Sequence, residues 1–257
     1  MREILGRQRA LWARRSKRSP RRSPLCEAAL TCATQWHWPV VPGAALSVTP
    51  DAPAGRAPSK RQARKVNRDG HGPADPRPVE ASCSCPDPDC VVPGAHPFEP
   101  VLLAATTDAR MVGWWWTNRP SAPLILATGG SAPCALSLPA IAGARALAEF
   151  DRLGVRTGPV AATPTRFSLL VAPYELEELG DLLYTYDWVP SSLRFHGDGG
   201  YIALPPSQTG AGQVRWERRP ETGRGTDGTP WLPRMDTVLD ILVEASATAP
   251  DPGSLTY

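Results

Sequence analysis

Residues 83–96 read CSCPDPDCVVPGAH, which places three cysteines and one histidine within 14 positions. Cys83, Cys85, Cys90 and His96 have the spacing C-x-C-x4-C-x5-H, and Pro and Gly residues turn the chain tightly between them. Three thiolates and one imidazole make a closed tetrahedral zinc site, which is structural because no position is left for water or substrate. Four ligands so close in sequence cost little loop entropy, and metal binding then contributes to folding. A disulfide or reduced free thiols are weaker alternatives, since nothing in the sequence suggests secretion.

The length and composition are those of a globular protein. The chain has 257 residues, of which 42% are hydrophobic and 21% charged, and this length fits one large domain or two small ones. No apolar run reaches the roughly 18 residues of a membrane span, and no apolar stretch follows the basic N-terminus as a secretory signal requires. We therefore expect a cytoplasmic protein without a membrane partner.

The charge is distributed unevenly along the chain. The first 79 residues hold 16 of the 28 Lys and Arg and five acids, a balance of +11, whereas the remainder has a balance of −8. Residues 1–22 are rich in Arg and are predicted to be a disordered basic arm. Such an arm attracts nucleic acid without reading its sequence. A solvated tail, or leader sequence from a wrongly assigned start codon, explains it equally well.

A folded domain is predicted over residues 23–248, with a flexible insertion over 44–80, the zinc-binding segment over 83–96 and a tail over 249–257. Ser23 and Pro24 are typical of a helix start, as are Thr107 and Asp108. The insertion is predicted because 44–80 has few large apolar residues and many Pro, Gly, Arg and Lys. The cysteines outside the cluster, Cys26, Cys32 and Cys134, are expected to be small core residues.

Mixed strands and helices are predicted beyond the cysteines. An Ala-rich helix over 140–153 ends at Gly154, and an amphipathic helix covers 235–245. Of the three consecutive tryptophans at 114–116, two are expected in the core and one exposed. Strands are predicted at 124–127, 134–138, 160–162, 167–171 and 214–217, and a hairpin joins 193–196 to 201–204. The absence of strict β-α alternation indicates an α+β fold.

Several short motifs follow one another in a recognisable order. They are WPVVPG at 38–43, PGAHP at 93–97, TTD at 106–108 before WWW at 114–116, ATG at 127–129, GDGGY at 197–201, PPS at 205–207 and VRW at 214–216. With the cysteine cluster, this series resembles the bifunctional DNA primase/polymerase N-terminal domain of the archaeo-eukaryotic primase superfamily. It is most similar to the short actinobacterial type, and the resemblance covers residues 25–216. It implies a primase–polymerase core with an RRM-like sheet, a zinc-binding insertion and a role in DNA replication.

The resemblance also implies a catalytic metal site, from which this sequence departs. In the family, an acidic pair on the strand after the Ala-Thr-Gly turn holds Mg²⁺ or Mn²⁺, a later strand supplies a His, and a third Asp precedes the Gly-Gly-Tyr segment. Here residues 134–138 read CALSL, residues 163–170 read TPTRFSLL, and Arg194 stands at the third position. Ser137 and Ser168 are poor substitutes for a carboxylate as ligands of a hard metal ion. We therefore assign no catalytic residue and expect a degenerate active site.

Four residues remain candidates for binding nucleotide or nucleic acid: Arg166, Arg194, His196 and Ser207. Three of them have an ordinary structural interpretation as well. Arg166 fits a solvated hairpin, His196 a sheet, and Ser207 the end of a strand. Asp198 within Gly-Asp-Gly-Gly is interpreted as a turn residue.

Three functions stay open at this stage. The first is a primase/polymerase-like domain that binds DNA or nucleotide with little or no catalysis. The second is an active primase–polymerase, which would need Mg²⁺ or Mn²⁺ held by Asp198, Asp151 or Asp108. The third is a non-enzymatic interaction or regulatory module. The net negative charge of the chain beyond residue 79 favours this function over the first once the basic arm is removed.

Overall fold

The computed structural model describes residues 22–48, 81–222 and 228–248, and of residues 47, 48 and 81 it describes the backbone. The predicted arm up to residue 21, residues 49–80 of the predicted insertion and the predicted tail lie outside these ranges. In the described ranges no helix combines the length and the apolar composition that a membrane crossing needs.

Five helices lie in the described part of the chain, and their ends follow the capping residues. Ser23 accepts a hydrogen bond from the Cys26 N–H at 3.2 Å, and the Asp108 carboxylate accepts one from the Met111 N–H at 2.7 Å. Gly154 ends the third helix in the left-handed region, with φ of 67°. These three ends confirm the predictions. The helices are α1 (Pro24–Thr34), α2 (Ala109–Asn118), α3 (Ala140–Leu153), α4 (Leu176–Tyr184) and α5 (Met235–Ala247), and a 3₁₀ turn covers Leu102–Ala104.

The strands of the described ranges form four antiparallel sheets. Their bounds are β1 (Val40–Pro42), β2 (Leu46–Val48), β3 (Ala81–Cys83), β4 (Leu124–Ala127), β5 (Cys134–Pro139), β6 (Val160–Ala162), β7 (Arg166–Val171), β8 (Arg194–His196), β9 (Tyr201–Leu204), β10 (Gln208–Thr209), β11 (Gly212–Gln213) and β12 (Arg215–Arg218). The largest sheet has the order β12-β6-β7-β5-β8, and a second has the order β1-β4-β9. Two-stranded ladders join β2 to β3 and β10 to β11. The mixture of helices with antiparallel sheets confirms the predicted α+β class.

The five-stranded sheet contains two interlocked β-α-β units. Along the chain its strands and helices follow the order β5-α3-β6-β7-α4-β8. In the sheet β7 lies between β5 and β6, and β5 lies between β7 and β8, so each unit encloses a strand of the other. This is the split β-α-β arrangement, to which β12 adds an edge strand beside β6.

The two faces of this sheet have different partners because side chains alternate along each strand. One face packs against α3 and α5, and its core includes Leu136, Leu169, Phe150 and Leu239. The other face turns Ala135 and Leu170 towards a second core, which contains α1, α2 and the three-stranded sheet. The second core buries Trp115 and Trp116 while Trp114 is 60% exposed, which confirms the expected division of the tryptophans.

The predicted hairpin of 193–196 with 201–204 is wrong. Both strands exist, but β8 pairs with β5 and β9 pairs with β4 in a different sheet. The turn between them is fixed to the end of β4: Thr128 donates its N–H to the Gly200 carbonyl at 2.9 Å and its hydroxyl to the Gly197 carbonyl at 2.7 Å. Gly129 lies so close that a Cβ there would be 2.2 Å from the Asp198 Cα. These contacts separate the two strands.

The strands β2 and β3 are missing from the predictions. Strand β2 lies inside the predicted insertion, and β3 lies at its far end. Their ladder pairs Leu46 with Cys83. The ladder therefore brings together the described residues on either side of 49–80, and it ends at the first cysteine of the cluster.

Candidate functional site

The four predicted metal ligands come together at the end of β3. One ligand atom from each of Cys83, Cys85, Cys90 and His96 lies within 4.8 Å of all the others. The Nε2 atom of His96 lies 3.3 Å from the Cys83 Sγ and 3.4 Å from the Cys90 Sγ. Three thiols and an imidazole are a donor set for a soft or borderline metal ion. Residues 83–96, hereafter the metal segment, could therefore hold such an ion.

The histidine of this cluster is oriented by the backbone. Its Nδ1 lies 3.1 Å from the Pro97 carbonyl and donates a hydrogen bond to it. This bond fixes the tautomer whose Nε2 lone pair points at the cysteines. The arrangement is the one that metal-binding histidines commonly show.

The thiols of the cluster differ in acidity. Burial alone would raise the pKa of the Cys83 thiol, but the backbone of Cys85 and Gly94 and the His96 side chain outweigh it and lower the pKa to about 6. Burial and the neighbouring Cys85 and Cys83 thiols raise the pKa of Cys90 to about 11. The Cys83 thiolate thus forms readily, and its negative charge disfavours ionisation of Cys90. A bound cation would remove this repulsion between thiolates.

The metal segment packs firmly against the domain. Gly94 adopts φ of 71°, and a Cβ there would meet the Leu46 Cγ at 2.9 Å and the Gln208 carbonyl oxygen at 3.2 Å. Gly210 donates its N–H to the Pro93 carbonyl at 2.7 Å. The segment is therefore joined both to the β2–β3 ladder and to the β10–β11 hairpin.

A cleft of about 690 Å³ lies beside the metal segment. Its floor is the five-stranded sheet on the face opposite α3 and α5, and its other walls are β9, the β10–β11 hairpin and the metal segment. We call it the cationic cleft because Arg166 and Arg194 line it, together with His196. The fold thus brings together three of the four residues proposed for nucleotide or nucleic-acid binding.

A row of paired residues crosses the floor of the cationic cleft. Ser137 on β5 pairs with Ser168 on β7 and with Arg194 on β8, and Ser168 pairs with Ala161 on β6. Paired residues in adjacent antiparallel strands lie on the same face of the sheet. The strands from which the family draws its acidic pair, its His and its third Asp therefore present Ser137, Ser168 and Arg194 on one face, which are two hydroxyls and a guanidinium.

Arg166 is anchored across the floor by backbone carbonyls. Its Nη2 donates to the Ser137 carbonyl at 2.8 Å and to the Ser192 carbonyl at 2.9 Å, while its Nε is buried without a partner. Burial, followed by the nearby charge of Arg194, lowers the pKa of Arg166 to about 10. The side chain is therefore charged at neutral pH.

His196 lies next to both arginines. Its Nε2 is 3.0 Å from the Ser137 Oγ. Burial, followed by the charges of Arg166 and Arg194, lowers the pKa of His196 to about 4. The imidazole is therefore neutral at pH 7, and the fixed charge of the cleft comes from the two arginines.

No aspartate or glutamate is among the described residues that line the cationic cleft. The acids considered as metal ligands lie elsewhere: Asp108 caps α2, and Asp151 forms an ion pair with Arg218 at 2.5 Å. Asp198 is exposed in the turn between β8 and β9. The three do not converge on the floor of the cleft.

Ser207 is not brought together with the other three candidates. It is fully buried, its hydroxyl accepts a hydrogen bond from the Leu124 N–H at 2.7 Å, and it does not line the cleft. Residues missed from the sequence include Val91 and Val92, which form part of the cleft wall. The sequence signal that could have identified them is a pair of apolar residues between a cysteine and a proline of the metal segment. In the structure the Val91 side chain is 90% exposed.

The comparisons with known proteins identify one family. A family model described as "Bifunctional DNA primase/polymerase, N-terminal" matches residues 29–233. No curated protein and no solved structure matches the chain. The matched range contains the metal segment and every residue that lines the cationic cleft.

Proposed function

The chain belongs to the bifunctional DNA primase/polymerase N-terminal family, and from this premise we propose that it binds nucleotide or nucleic acid without performing nucleotidyl transfer. The observation that carries the proposal is the chemistry of the cleft floor, where Ser137, Ser168 and Arg194 stand in one row with no acid beside them. Arg166 and His196 complete the binding surface. Ser207 is left out of it because its hydroxyl is occupied in the core.

Nucleotidyl transfer needs more negative charge than this floor supplies. Two divalent ions about 4 Å apart are held by carboxylates that bridge or flank them. Serine hydroxyls are weak ligands for such ions, and a guanidinium repels them. The loss of the acidic ligands therefore removes the catalytic metals while the positive charge still favours phosphate.

The split β-α-β sheet supports the finer fold assignment, an RRM-like primase–polymerase core. In this assignment the metal segment is the zinc-binding insertion. Zn²⁺ fits three thiolates and one imidazole in a closed site, and its role there is structural. Cys83, Cys85, Cys90 and His96 would hold it and so fix one wall of the cleft.

Primer extension and de novo priming test the proposal. The zinc-loaded full chain is incubated with template, dNTPs or NTPs, and Mg²⁺ or Mn²⁺, with a zinc-stripped sample as the control. We expect no incorporation above this control. Incorporation by the loaded protein would contradict the proposal and mean that other carboxylates build an active site.

A further inference from the structure

The walls of the cationic cleft differ in chemistry. The floor, formed by the five-stranded sheet, carries hydroxyls, His196 and the two arginines, whereas the wall that faces it is mostly apolar. The apolar side chains of the facing wall include Val91, Val92, Pro93, Ile202, Ala203 and Val214. A volume of about 690 Å³ is within the range of pockets for small molecules. Such a cleft suits a ligand with an anionic end and a flat, weakly polar end.

The positive charge of the cleft has no counterpart in the described residues. The Arg194 side chain has no ion-pair or hydrogen-bond partner there, and the Arg166 side chain is held by carbonyls only, except for a 3.2 Å contact with the Ser137 hydroxyl. The Nε of Arg166 is buried without an acceptor. Two guanidinium groups that line one cleft without an acid repel each other, and a phosphate group would relieve this repulsion.

We propose that the cationic cleft binds the phosphate groups of a free nucleoside polyphosphate directly through Arg166 and Arg194, with no divalent cation between protein and phosphate. The inference rests on the proposed function and specifies its ligand and binding mode. In an active polymerase, metal ions held by carboxylates carry positive charge to the phosphates. Here the side chains supply that charge themselves, and Arg194 occupies the row of the floor where a metal ligand would stand.

The apolar wall accounts for the other end of the ligand. The base of the nucleotide packs against Val91 and Val92, and the phosphates lie over the floor at Ser137. Arg166 is already positioned by the Ser137 and Ser192 carbonyls, so little side-chain entropy is lost when the phosphate binds. A free nucleotide is favoured over a strand because the cleft has the volume of a small-molecule pocket.

Isothermal titration calorimetry of dATP into the zinc-loaded full chain tests this inference. One titration uses buffer freed of divalent cations on a chelating resin, and the other contains Mg²⁺ at millimolar concentration, with the zinc content measured in both. We expect binding without Mg²⁺ that is as tight as binding with it, or tighter, because Mg²⁺ reduces the charge of the nucleotide. Arg194→Gln should weaken the metal-free binding by about tenfold or more, the usual effect of losing one charge-assisted contact.

Arg145→Gln is the matched control, because Arg145 lies on α3 on the opposite side of the sheet and bonds the Thr248 carbonyl. It should change the dissociation constant by less than about twofold. Binding of dATP only in the presence of Mg²⁺ would overturn the inference and leave the proposed function standing. So would metal-free binding of a single-stranded oligonucleotide, weakened by Arg194→Gln, together with no binding of dATP. If neither dATP nor the oligonucleotide bound, with or without Mg²⁺, both this inference and the proposed function would be overturned.

Discussion

The metal segment and the floor of the cationic cleft both gather polar side chains, but they are built differently. The metal segment takes its four donors from 14 consecutive residues, and they lie within 4.8 Å of one another. The cleft floor takes its residues from separate strands, and its ionised groups are both positive. The first arrangement attracts a cation and the second attracts an anion. This contrast supports our proposal that the chain keeps a structural metal site and lacks the catalytic one.

The largest effect is expected from Cys90→Ser, which removes one of four ligands from the metal segment. Because metal binding is part of the folding free energy, we expect loss of the zinc and destabilisation by at least about 4 kcal/mol, seen as unfolding or insolubility. Elemental analysis and thermal melting measure both quantities. Cys26→Ala is the control, since Cys26 is buried in α1 away from the cluster. A Cys90→Ser protein with unchanged zinc content and melting temperature would contradict the role of the segment.

Gly94→Ala tests how tightly the metal segment is packed. The substitution places a Cβ 2.9 Å from the Leu46 Cγ in a backbone conformation that disfavours side chains. We expect a loss of about 2–3 kcal/mol in the free energy of unfolding, measured with denaturant. Gly130→Ala is the matched control, because Gly130 has φ of 61° and no atom within 4 Å of the added Cβ. It should cost only about 1 kcal/mol. Equal losses in the two variants would show that the contacts of Gly94 are unimportant.

The free energy of unfolding should depend on pH through His196, which lies in the cationic cleft. The pKa of His196 in the folded state is about 4, below the ordinary histidine value of 6.5, so the unfolded chain takes up a proton first as the pH falls. Stability is therefore lost between pH 6.5 and about 4, by roughly 2 kcal/mol after allowance for partial solvent access.

Denaturant titrations of the wild type and His196→Gln over this pH range measure the effect. The variant should lack this part of the pH dependence, whereas His37→Asn, at an exposed histidine, should keep it. A pH dependence that survived in His196→Gln would mean that other groups cause it.

The smallest effect is expected from removal of residues 1–22. If this basic arm supplies non-specific affinity for DNA, its loss should weaken DNA binding and reduce the dependence of the binding constant on salt. Binding of dATP in the cleft should be unchanged. Titrations of a labelled oligonucleotide at several salt concentrations measure the first effect. An unchanged salt dependence would assign the DNA contacts to the body of the protein.

Local signals in the sequence predicted three helix ends and the set of cysteine and histidine side chains that the fold brings together. The Ser23 cap, the Gly154 C-cap and the cysteine spacing each depend on neighbours within a few residues, so their physics is visible in the sequence. The resemblance to the family indicated which strands should carry the acids and the His, and the register of β5, β7 and β8 places those strands side by side with Ser137, Ser168 and Arg194 on one face. The absence of acids was therefore interpretable before the fold was known.

Long-range pairing could not be predicted in the same way. A Gly-rich turn between two strands normally indicates a hairpin, but contacts of Thr128 and Gly129 with the turn send β8 and β9 to different sheets. The β2–β3 ladder joins residues separated by a long insertion, and short strands carry little periodic signal. Ser207 was misleading because a buried hydroxyl that bonds the backbone has the same sequence signature as one that binds phosphate.

An inventory of bound metals tests the central comparison most directly. Zinc is counted by elemental analysis, and Mn²⁺, as a substitute for Mg²⁺, is titrated into the same full-length protein while electron paramagnetic resonance reports the free ion. We predict one zinc per chain and no Mn²⁺ bound in the millimolar range. One zinc together with two bound Mn²⁺ ions per chain would contradict the account, because it would mean that carboxylates assemble a catalytic metal site after all.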